Sequence, residues 1–134
     1  MSQTWIILGA TSTIARAFAR MVSERGDGVL LAGRDMTELE LIANDCRHRG
    51  AHFGEAIAFD ARDPDTFGPI IDRARDFGGT ISVAVFVGSM PSQEEIDADP
   101  SLIDGTITDG FTGPARFLTM LAPLLEERGA GTVV

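Results

Sequence analysis

Residues 5–34, WIILGATSTIARAFARMVSERGDGVLLAGR, constrain the fold more than any other part of this chain. Trp5-Ile6-Ile7-Leu8 is a continuous apolar run, the pattern of a parallel strand buried on both faces. Gly9 to Thr13 reads as a turn. Ile14, Phe18, Met21 and Val22 then recur at helical spacing, with Arg16, Arg20 and Glu24 between them. Gly26 stands where a glycine commonly closes a helix. A second apolar run over 29–32 follows and ends in Gly33-Arg34. Strand, helix and strand in this order make a βαβ unit, which joins parallel strands by a right-handed crossover.

The alternation continues. A second helix is expected over 36–49 on Leu39, Ile42 and Cys46, closed by Gly50. Residues 52–59 read as a weaker third strand, with Asp60 directly after it. Pro64 suits the first turn of a helix, and Phe67, Ile70, Ile71, Ala74 and Phe77 form its apolar face. Residues 81–87, ISVAVFV, are the most strand-like run. Residues 88–100 form one long, acidic, irregular stretch, either a functional or mobile loop, or else a solvated loop or a short extra helical turn. Residues 102–128 are helical again, with a kink or a division into two segments expected from Pro114 and Pro123. Residues 132–134 begin a fifth strand. The expected fold is a Rossmann-like, doubly wound α/β domain over 1–134. It has about five parallel strands in the order 3-2-1-4-5, helices on both faces, and a chain end within the fifth strand.

Composition narrows the partners. A length of 134 residues suits one domain with a real core. A formal net charge of −9 argues against nucleic acid or an anionic membrane as a partner. No apolar run suggests a membrane span and the first residues do not resemble a signal peptide, so a cytoplasmic location is the default. The single cysteine, Cys46, falls in line with Leu39 and Ile42 and reads as a small core residue. His48 and His52 flank a helix-to-strand loop and are expected in solvent. With one cysteine and two histidines no zinc spacing exists, and no metal site is expected. The chain has no tyrosine, and its 11 basic residues are all arginines.

The residues themselves suggest a phosphate-binding rim. A helix starting near Ser12 presents free backbone N–H groups and a positive field. Gly9 permits a tight turn off the first strand, and Thr11, Ser12 and Thr13 place hydroxyls at the helix start. These hydroxyls either cap free N–H groups or contact phosphate. After the second strand, a carboxylate favours NAD and an arginine favours NADP. Here Arg34 occupies that place, its bidentate guanidinium suits a phosphate, and NADP(H) is favoured over NAD(H). The alternative is an arginine that only faces solvent. Asp60 and Gly88 follow the third and fourth strands. Gly9, Arg34, Asp60 and Gly88 should therefore meet on one sheet edge.

On these residues the chain resembles the N-terminal half of the short-chain dehydrogenase/reductase family. Gly9-Ala10-Thr11-Ser12-Thr13-Ile14-Ala15 is similar to the family's TGxxxGxG turn, with Leu8 at its threonine, Thr13 at its middle glycine and Ala15 at its last. The resemblance implies cofactor contacts from Gly9, Thr11, Ser12, Thr13, Ile14, Arg34, Asp60 and Gly88, with Asp60 on the adenine amino group. Phe86-Val87-Gly88 stands at the family's Asn-Asn-Ala-Gly run. Gly110 stands where many members carry an active-site asparagine. The family's catalytic serine and its Tyr-x-x-x-Lys motif have no counterpart here, so no catalytic residue is assigned.

Three readings follow. The chain is the NADP(H)-binding half of an oxidoreductase, inactive alone; or a non-catalytic Rossmann module that associates with another subunit; or a fold that has lost its ligand. In the family the helix corresponding to 102–128 packs in oligomer interfaces, so a homo-oligomer through it, or through an exposed sheet edge, is expected.

Overall fold

The computed structural model describes residues 3–134. Four parallel strands, β1 (Gln3–Leu8), β2 (Gly28–Gly33), β3 (Gly54–Ala58) and β4 (Thr80–Val85), form one sheet in the order β3-β2-β1-β4. Register pairs Trp5 with Val29 and Ile6 with Val83. The helices are α1 (Thr13–Glu24), α2 (Met36–Arg49), α3 (Phe67–Arg75), α4 (Gln93–Ala98), α5 (Leu102–Ile107) and α6 (Gly113–Arg128). The predicted architecture is thus present, with one difference at the fifth strand. There, Val133 makes a single parallel bridge to Val83. Only residues 132–134 lie alongside β4, held by bonds such as Val85 N–H to the Val134 carbonyl, 2.9 Å.

Strand alternation sorts the core onto two faces. Trp5, Ile7, Val29 and Leu31 face α1 and α2, where Ala15, Ala19, Ala43 and Cys46 are wholly buried. Ile6, Leu8, Leu30 and Val83 face α3 and α6 and pack on Phe59, Phe67 and Phe117. The three phenylalanines pack within 5.8 Å of one another, centroid to centroid.

Local chemistry sets the helix ends. Ser12 caps α1 by accepting from the Ala15 N–H at 3.2 Å, and Asp35 caps α2 by accepting from the Glu38 N–H at 3.1 Å. Gly26, at φ 88°, and Gly50, at φ 121°, adopt the left-handed backbone that ends α1 and α2. The long helix read over 102–128 is divided. A π-helical turn at Thr108–Thr112 separates α5 from α6, with Pro114 in the first turn of α6 and Pro123 inside it. Within the irregular 88–100 stretch, α4 supplies the extra turn, capped by Ser92. Among the described residues, no helix is long and apolar enough to cross a membrane.

Candidate functional site

All four strands run the same way, so their C-terminal ends share one edge of the sheet. The order 3-2-1-4 turns back between β1 and β4, the place where ligands bind in open α/β sheets. An open cleft of about 320 Å³ lies there. Its walls include Gly9, Thr11, Ser12, Arg34, Asp60 and Gly88, so residues far apart in sequence meet at one place. Thr13 and Ile14 are not among the lining residues, and Ile14 projects to solvent, 70% exposed.

The turn at the end of β1 is tied to both neighbouring strands. Gly9 N–H donates to the Ala32 carbonyl at 2.9 Å, and Phe86 N–H donates to the Leu8 carbonyl at 2.8 Å. Gly9 adopts φ 76°, and a Cβ there would lie 2.9 Å from the backbone carbonyl of Phe86. Glycine is therefore required both for conformation and for space. Arg16 braces the turn from α1. Its Nε donates to the Thr11 carbonyl at 3.0 Å, and its guanidinium pairs with Glu38 of α2 at 2.6 Å.

On the β2 side Arg34 and Asp35 enter the rim. Among the described residues Arg34 has no ion-pair partner, whereas Arg16 and Arg62 each have one. Asp60 follows the end of β3. Its carboxylate accepts from the Arg62 N–H at 2.9 Å, which orients one oxygen. Its own N–H donates to Thr66 Oγ1 at 3.1 Å, anchoring the loop to the turn before α3.

Asp109, in the π-helical turn, also lines the cleft and has no counterpart among the sequence-derived candidates. Arg62 grips it in a two-point bond, Nε to Oδ1 at 2.9 Å and Nη2 to Oδ2 at 2.8 Å. That bond holds the Asp109 carboxyl below its ordinary value despite partial burial, and raises Arg62 in turn. The Ser89 hydroxyl is buried close enough to favour the Asp109 carboxylate, yet makes no hydrogen bond of full geometry. Glycines allow the close packing here. A Cβ on Gly105 would sit 2.6 Å from the Arg62 guanidinium, and a methyl on Gly113 would collide with the Ala61 carbonyl.

Cys46 is buried, as its spacing suggested, and burial pushes its thiol up. His48 and His52 are exposed, and each ring directs Nδ1 at a backbone carbonyl, of Asn44 and Gly26. Among the described residues, no three His, Cys, Asp or Glu side chains gather as a metal ion would need.

A parallel sheet with a glycine turn running into a helix N-terminus at its switch point defines a Rossmann-type nucleotide-binding domain. The chain belongs to the short chain dehydrogenase family, whose sequence model matches residues 3–134. It is 27% identical over 130 residues to an uncharacterized oxidoreductase of Staphylococcus haemolyticus, covering 96% of this chain and 55% of that one. It is 28% identical over 136 residues to the inactive hydroxysteroid dehydrogenase-like protein 1 of Danio rerio, covering 96% and 41%. The chain thus spans about half the length of the curated relatives it matches. Among solved structures, a 3-ketoacyl-ACP reductase from Sinorhizobium meliloti superposes with a TM-score of 0.82 at 27% identity, over 97% of this chain and 51% of that one. An actinorhodin polyketide ketoreductase variant solved with NADPH gives a TM-score of 0.85 at 21% identity over 98% and 51%, a likeness of fold.

Proposed function

We propose that this chain is the NADP(H)-binding half of a short-chain dehydrogenase/reductase-type oxidoreductase. The observation that carries the cofactor preference is Arg34, which stands at the end of β2 on the cleft rim with no ion-pair partner among the described residues. A guanidinium in that place meets a 2′-phosphate in bidentate fashion, while a 2′-hydroxyl offers it much less. Gly9, Thr11 and Ser12 approach the 5′-phosphates beside the α1 N-terminus. Thr13 and Ile14 contribute through the first-turn amides, which have no intrahelical acceptor. Asp60 accepts from the adenine amino group, and Gly88 closes the β4 side. Titration of the chain with NADPH and NADH tests this. NADPH should bind at least tenfold tighter, and Arg34→Ala should erase most of that margin. No binding of either cofactor at millimolar concentration would remove the proposal.

The chain supplies no tyrosine or lysine, the acid–base and ribose-holding pair of the family's chemistry. Alone it turns over neither ketones nor alcohols, and measurable turnover by the pure chain would refute this.

A second reading, a non-catalytic module that pairs with another subunit, has its own support. Ile103, Ile107 and Phe111 recur every fourth residue and are 45%, 52% and 71% exposed. Exposed apolar stripes of this kind commonly mark interfaces. A homo-oligomer through α5 and α6 accommodates both readings. Sedimentation that shows only monomer at high concentration would remove it.

A further inference from the structure

The loop after β3 carries opposite charges two residues apart, Asp60 and Arg62, and their side chains do not pair with each other. At the same spacing Arg25 and Asp27 close an ion pair at 2.9 Å, so two residues of chain are short enough for such a contact. In the β3 loop only the Arg62 backbone N–H reaches Asp60, donating to Oδ1 at 2.9 Å. The Arg62 guanidinium turns instead to Asp109, 47 residues further on, and commits both Nε and Nη2 to it, at 2.9 and 2.8 Å.

The surroundings favour that orientation. The Asp60 N–H donates to Thr66 Oγ1 at 3.1 Å, and the Asp60 carbonyl accepts from the Asp63 N–H at 3.0 Å, so the loop backbone is fixed. Gly105 leaves room for the guanidinium: a Cβ there would lie 2.6 Å from Arg62 Nη2. Asp60, Ala61 and Asp109 line the cleft, and Arg62 does not. Hydrogen bonding to Asp109 raises Arg62, and the charge of Asp60 adds to that rise through space. The guanidinium therefore has a second carboxylate near it that it leaves unpaired.

We infer, resting on the cofactor reading above, that Asp109 is a positioning residue: it keeps Asp60 open to the ligand by holding the Arg62 guanidinium away from it. A carboxylate takes a bond from an amino group best when no guanidinium already occupies its oxygens. With Asp109 in place, Asp60 turns one oxygen to the Arg62 N–H and keeps the other for the ligand. Without Asp109, Arg62 is an exposed cation two residues from Asp60 and closes onto it, as Arg25 closes onto Asp27. The amino group must then displace an arginine. Exposed ion pairs are weak, so this competition amounts to at most about fivefold in affinity.

Calorimetric titration of the full chain with NADPH, and with its analogue carrying hypoxanthine in place of adenine and so lacking the amino group, tests this. The wild type should prefer NADPH by about tenfold. Asp109→Ala should reduce that preference to about twofold with the analogue's own affinity unchanged. Adding Arg62→Ala to the same chain should restore the preference, because the competing guanidinium is gone. A role confined to holding the fold predicts a double variant no better than the single one. An unchanged preference in Asp109→Ala, an equal loss for both ligands, or no recovery in the double variant would overturn the inference and leave the cofactor reading intact. Equal binding of the two ligands by the wild type would overturn it together with the contact assigned to Asp60. Binding of neither would overturn the cofactor reading as well.

Discussion

The two faces of the sheet solve the same packing problem differently. On the α1/α2 face the helices turn small side chains to the sheet, among them Ala15, Ala19 and Ala43, all fully buried. Gly54 of β3 extends this economy of volume: a Cβ there would lie 2.9 Å from the Ala43 carbonyl. On the α3/α6 face the layer is filled by the large side chains of Phe59, Phe67 and Phe117. The small residues let α2 approach β3 closely at Gly54. Large residues anchor the opposite layer. The close face is therefore sensitive to added volume and the aromatic face to lost volume.

The largest effect expected is on the aromatic face. Phe117→Ala leaves a cavity beside Phe59 and Phe67 and should cost about 3–5 kcal/mol in urea unfolding. A loss under about 1 kcal/mol would mean that this layer is not the anchor. Next, Gly54→Ala should cost about 1–3 kcal/mol by overpacking α2 against β3. Its control is Gly68→Ala in α3, where a Cβ meets nothing within 4 Å and should stabilise by up to about 1 kcal/mol. Equal effects at the two glycines would erase the distinction between the faces.

Arg34→Ala should leave the unfolding midpoint unchanged while removing the preference for NADPH. It thereby separates the close face's architecture from the ligand chemistry at its end. The smallest effect concerns the Arg62–Asp109 pair, which ties the β3–α3 loop to the π-helical turn. Arg62 is half exposed, so Asp109→Asn should cost at most about 1 kcal/mol. Asp109 is held below its ordinary carboxyl value of 3.8, so its contribution is complete above that pH. It is lost as pH falls through the lowered native value. Unfolding curves of wild type and Asp109→Asn should converge as the medium is acidified below about pH 4. A difference that grows in acid would contradict the pairing.

Much of this arrangement is legible in the chain. Short continuous apolar runs and 3.6-residue spacing between them report the layers, because a parallel strand is buried on both faces and each helix on one. Gly9, Arg34, Asp60 and Gly88 could be placed together because each follows a strand, and parallel strands end on one edge. Asp109 carries no such marker. Its partner Arg62 is 47 residues away, and the contact depends on a π-helical turn that no local spacing announces. The division of the long helix was expected from prolines, yet the break falls before Pro114, and Pro123 is carried within α6. Residues 132–134 read as the start of a fifth strand, and Val133 makes one parallel bridge to Val83 there.

The buried Cys46 has a use outside the cleft. It is the chain's single thiol, it is sealed on the inner face of α2, and its ionisation is suppressed by burial. A thiol reagent added to the folded protein therefore meets no thiolate until α2 lifts from the sheet. Labelling at Cys46 becomes a built-in clock for opening of the close face. Its slowing by a saturating nucleotide would measure how far ligand binding at the far end of β1 and β2 holds that layer shut.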